Sequence, residues 1–130
     1  FIIKNHPSQA VNLKDFNNIP GELSTRPIPE LLGTSNVVYA SSATSGAVDG
    51  YCAGNPVIIL NDGSVLNQSP LRGLKDVHFT SDVQGLADLI NQLCIVGSQG
   101  HAKNNDYFYT DLGLIRWRKL LKLRNDNLNT

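Results

Sequence analysis

Four consecutive aliphatic residues, Val57-Ile58-Ile59-Leu60, place the tightest constraint on how this chain can fold. A half-buried strand alternates apolar and polar side chains, and this run does not, so a strand here is buried on both faces and central in its sheet. The segment Asn61-Asp62-Gly63-Ser64 follows with an Asp-Gly turn signal, and Val65-Leu66 resumes the apolar pattern, which predicts a β-hairpin over 56–67. Another short strand is expected over 75–80, where Val77 and Phe79 point one way and His78 the other. Val37-Val38-Tyr39-Ala40 also has strand composition.

The clearest helix spans 82–96. Ser81 and Gln84 stand in capping-box spacing, Asp82 suits the positive end of the helix dipole, and Gly97 closes the segment. Between them Val83, Leu86, Ala87, Ile90, Leu93 and Cys94 share one face, which is expected to be core. Pro29-Glu30-Leu31-Leu32 before Gly33 reads as one further helical turn.

The first 33 residues are punctuated by Pro7, Pro20, Pro27 and Pro29 and read as an irregular arm. Phe1-Ile2-Ile3 is the exception: an apolar end docks on the protein's own sheet or adds to the sheet edge of a neighbouring subunit. Ser41-Ser42-Ala43-Thr44-Ser45-Gly46 reads as a flexible loop, anchored farther on by Cys52. Gly46, Gly50 and Gly54 recur every four residues but match neither a P-loop nor a dinucleotide fingerprint. Near the C-terminus, Tyr107-Phe108-Tyr109-Thr110 and a return strand over 114–118 form a hairpin about Asp111-Leu112-Gly113. A helix over 112–124 competes, but Arg118 falls inside its apolar arc, so the strand is preferred.

A chain of 130 residues is one domain, with 1–33 as the arm and 34–130 as the core. Net charge of zero argues against a dedicated nucleic-acid binder. Charge is nevertheless uneven: Arg116, Arg118, Lys119, Lys122 and Arg124 make the C-terminal end basic. Those cations protect a strand edge, or, with Trp117 between Arg116 and Arg118, bind an acidic partner subunit or polysaccharide. No stretch is apolar for the roughly 20 residues a membrane helix needs.

The chain opens on Phe1 and holds no methionine, which predicts a processed product. Its only cysteines, Cys52 and Cys94, fit neither a structural zinc site nor a CxxC motif and are expected to form a disulfide. Such a bridge would close about 42 residues and stabilise by at most about 4 kcal/mol. Asn67-Gln68-Ser69 matches a glycosylation sequon.

Catalytic patterns are sparse. His78 and His101, with Lys103 or Asp106, have the chemistry of an acid–base pair, but no spacing brings them together. Cys52 between glycines lacks room upstream for the half-barrel that a chymotrypsin-like cysteine protease requires. No metal or cofactor motif is present.

The expectation is therefore an α+β domain, with a small antiparallel sheet of four or five strands packed on the 82–96 helix. In function it reads as a non-enzymatic, extracytoplasmic, secreted structural or interaction module, such as a subunit of a surface filament, pilus or secretion assembly. It would work without cofactor through a protein partner or self-assembly, using Phe1, Ile2, Ile3, Arg116, Trp117 and Arg118. The alternative is a small secreted hydrolase or nuclease-type toxin using His78 or His101.

Overall fold

Val57–Leu60 (β4) is the central strand, and both neighbours run parallel to it. In the computed structural model, which describes residues 1–6, 11–15, 20–42, 44–61, 63–64, 66–95 and 113–121, the strand order is β3-β4-β5. Here β3 is Val38–Ser41 and β5 is Val77–Thr80. A separate two-stranded ribbon pairs β1 (Ile2–Ile3) with β2 (Glu22–Leu23), also in parallel. The helices are α1 (Ile28–Leu32), α2 (Ser45–Ala53), α3 (Val83–Ile95) and α4 (Ile115–Leu120).

The expected antiparallel sheet on a single helix is thus corrected to parallel sheets with four α-helices among the described residues. The misleading signal was Asp62-Gly63. Gly63 does take a left-handed φ of 81°, but Leu66 lies in no strand and the chain does not fold back on β4. Instead the connection carries Leu71 into the core and delivers β5 alongside β4 in the same direction. An uninterrupted aliphatic strand is what a parallel sheet with both faces covered requires.

Each face has its own cover. Val57 and Ile59 pack with Ala47 and Leu71, and Val38, Ala40, Val48, Tyr51, Leu74, Val77 and Phe79 surround them. This is the α2 face. Ile58 points to the other side and is equally inaccessible, at 0% exposure, where α3 packs against β4 and β5. Each such side chain contributes about 1.5–3 kcal/mol by leaving water.

The stretch expected to stay a loop as far as Cys52 is helical from Ser45 on, as α2. Its glycines suit one helix face: a Cβ at Gly50 would lie 2.9 Å from Val38 Cγ2, so glycine is what lets α2 sit close on β3. Gly54, with φ 86°, ends the helix in the left-handed conformation, its N–H donating to the carbonyls of Gly50 and Tyr51. On α3 the cap is Asp82 and not Ser81, since Asp82 Oδ1 accepts the Gly85 N–H at 2.8 Å. Its covered stripe is Leu86, Leu89, Ile90 and Leu93, rotated from the expected face so that Val83 is 76% exposed and Ala87 and Cys94 face solvent.

That rotation bears on the disulfide. Cys52 lies half-buried on α2 and Cys94 exposed on α3, helices that cover opposite faces of the sheet, and both thiols are free. With the bridge gone, the readings of a disulfide-bonded, secreted protein and of a filament or pilus subunit lose the observation that supported them. The preferred C-terminal strand is also corrected, because 114–118 enters α4. Arg118 in the apolar arc was no obstacle, since that helix is largely exposed and has no buried residue. The partner strand over 107–110 lies outside the described residues, as do His101, Lys103 and Asp106.

Candidate ligand site at the carboxyl edge of the parallel sheet

Parallel pairing without stagger brings three strand ends level: Ser41 pairs with Leu60, and Leu60 with Thr80. Everything that leaves those ends therefore gathers on one edge. From β3 the chain runs through Ser42 and Thr44 into α2; from β4 it passes to Asn61, Gly63 and Ser64; from β5 it goes through Ser81 and Asp82 into α3. In open parallel sheets the crevice beyond the carboxyl ends of the strands is where ligands bind, because the loops there are free of packing duty while the strands hold them rigidly.

Local sequence explains the shape. Small residues dominate between β3 and α2, and Thr44 anchors the turn by donating from Oγ1 to the Ser41 carbonyl at 3.2 Å. Because that hydroxyl is engaged backwards, no side chain caps the first turn of α2. Nothing lies within 4 Å of where a Gly46 Cβ would be, so the start of α2 faces open space. At β5 the corresponding position is closed: Thr80 Oγ1 donates to the Asp82 carbonyl and Asp82 caps α3. Between them Asn61 donates its backbone N–H to the Thr80 carbonyl at 2.8 Å, and its buried Oδ1 has no hydrogen-bond partner among the described residues. An unpartnered buried acceptor of this kind is costly unless water or a ligand satisfies it.

The chemistry of the edge is hydroxyl and amide. Residues 41–46, 61–64 and 80–82 include no Lys, Arg or His, and their only ionisable side chains are Asp62 and Asp82. Such an edge recognises by hydrogen bonds and does not neutralise a multiply charged anion.

The residues singled out from sequence fall elsewhere. Ile2 and Ile3 pair with Glu22 and Leu23 of the same chain, and the Phe1 ammonium donates to the Pro20 carbonyl at 3.0 Å, while the Phe1 and Ile2 side chains stay exposed. Arg116, Trp117 and Arg118 are on α4. His78 sits half-buried on β5, two residues before its end, with His6 far off in sequence beside β1. Burial, reinforced by the nearby Asp49 carboxylate, pushes the Cys52 thiol above its ordinary pKa, the opposite of an activated nucleophile. Ser69 of the sequon is buried, and Asn67 Oδ1 accepts its N–H at 3.0 Å, so this tripeptide is folded into the connection before β5.

The described residues include no cluster of three or more His, Cys, Asp or Glu able to hold a metal ion, and no helix long and apolar enough to cross a membrane. Fold and edge together define an open parallel α/β domain. Beyond that class the comparisons add nothing, since no family model, curated protein or solved structure matches the chain.

Proposed function

We propose that this chain is a ligand-binding α/β domain that holds a small, neutral, polar molecule at the carboxyl edge of its β3-β4-β5 sheet. The observation that carries the reading is the level ending of three parallel strands at Ser41, Leu60 and Thr80, which concentrates Ser42, Thr44, Ser45, Asn61, Ser81 and Asp82 on one edge. Supporting it are the open first turn of α2 and the unsatisfied Asn61 Oδ1, which offer backbone donors and an amide acceptor to one ligand. Hydroxyl or amide groups of the ligand satisfy both, and the absence of cationic side chains disfavours phosphate esters.

The test is an amide-resolved NMR titration of labelled protein with neutral polyols, sugars and amides, using inorganic phosphate as the charged control. Shifts confined to 41–46, 61–64 and 80–82 are expected, and Gly46→Leu, which has room in the fold, should block them. Shifts scattered elsewhere, or a stronger response to phosphate, would overturn the reading.

A further inference from the structure

The described residues leave one segment strongly apolar and uncovered. Leu114, Ile115, Trp117, Leu120 and Leu121 are all more than half exposed, Leu120 at 71% and Trp117 at 59%. This cluster occupies α4 and its two flanking residues. At 3.6 residues per turn, Trp117, Leu120 and Leu121 fall within about 100° of arc, flanked by Arg116 on one side and Arg118 on the other, with Lys119 opposite. Ile115 lies on the cationic side. No acid occurs from 113 to 121, so the segment carries three positive charges in a chain whose net charge is zero.

We infer that α4 is a peripheral membrane contact, lying in the plane of an anionic bilayer surface with Trp117, Leu120 and Leu121 among the acyl chains. The charge is complementary: cations attract anionic headgroups, and long Arg and Lys stems reach the headgroup level while the apolar arc is immersed. Tryptophan favours the boundary between headgroup and hydrocarbon. Size separates this surface from a protein partner. Among the described residues the arc offers three apolar side chains, together well under the roughly 800 Å² per partner that a stable protein interface needs. A bilayer accepts a small apolar patch assisted by charge, giving reversible attachment.

Trp117 is the sole tryptophan, so its fluorescence reports on this site alone. The 130-residue chain is mixed with vesicles of phosphatidylcholine, or of phosphatidylcholine with phosphatidylglycerol, and followed by emission and flotation. A blue shift and co-flotation are expected only with the anionic vesicles, both reversed by added salt. Lys119→Gln and Arg118→Gln should each weaken partitioning about fivefold, one cation's share at such a surface. Leu120→Asp should abolish the shift, with unchanged circular dichroism as the folding control. No shift with anionic vesicles overturns the inference, as does equal binding to neutral ones that ignores both charge variants. A shift with soluble polyglutamate but no flotation also overturns it, and assigns α4 to an acidic protein.

Discussion

Two glycines four residues apart on α2 do opposite work, and substitution separates them. A Cβ at Gly50 would press on Val38 at 2.9 Å, while one at Gly46 meets nothing within 4 Å. Gly50→Ala should therefore destabilise by about 1–3 kcal/mol through overpacking, of which better helix propensity returns at most about 1. Gly46→Ala should stabilise by about 0.5–1 kcal/mol, since only propensity changes. Thermal melts that shift in the same direction for both would show that α2 is misplaced on β3. The cysteines offer a second contrast. Exposed Cys94 should alkylate well before half-buried Cys52 in unreduced protein, read by mass after peptide mapping. Because the folded Cys52 pKa is raised, its contribution to stability is fully present below the unfolded thiol pKa and is lost as pH rises through the folded value. Cys52→Ser should accordingly flatten the alkaline end of the stability–pH curve. At this scale the sequence was legible where a residue acts through its neighbours, as at Leu31, buried in a helical turn that Pro29 and Gly33 bracket. It was illegible for Cys94, whose burial depended on a face that α3 turns outward.

Among the elements, α3 and β4 could be read almost to their ends, because a long amphipathic period and an unbroken aliphatic run each admit one interpretation. α2 could not. Its serines and glycines are poor helix formers, and only tertiary contact makes Gly50 an asset, yet the four-residue recurrence of Gly46, Gly50 and Gly54 was a helical period in plain view. α4 was lost for a different reason: a clean apolar face was demanded of a helix that buries none. These assignments separate energetically. Ile59→Ala, in the fully buried strand, should cost about 2–5 kcal/mol through its cavity, whereas Ile90→Ala on the half-covered side of α3 should cost less than half of that. Asp82→Ala should cost about 0.5–2 kcal/mol by uncapping α3, with Ser81→Ala near neutral. Chemical denaturation measures all four, and a larger effect at Ser81 than at Asp82 would restore the capping box first read from the sequence.

For the molecule as a whole, strand direction was the piece that local signals could not supply, and the candidate site depends on it. In an antiparallel hairpin the ends of β4 and β5 would point to opposite edges; in parallel they point to one, and the hydroxyl-rich turns after Ser41, Leu60 and Thr80 become neighbours. Direction was decided by the connection before β5, where the fully buried Leu71, its N–H donating to the buried Ser69 Oγ at 3.2 Å, ties the returning chain to the core. The same topology grades stability across the molecule. β4 is paired on both sides, whereas among the described residues β3 and β5 each pair on one side only, and β1 with β2 form an isolated ribbon. Local opening should follow that order, since an amide exchanges when its bond and its cover are lost together. Native-state hydrogen exchange should find the slowest amides at Ile58 and Ile59, intermediate ones in β3, β5 and the middle of α3, and the fastest in β1, β2 and α4. If β4 exchanged as fast as the ribbon, the sheet would not be the structural centre, and the edge it organises could not hold a ligand in place.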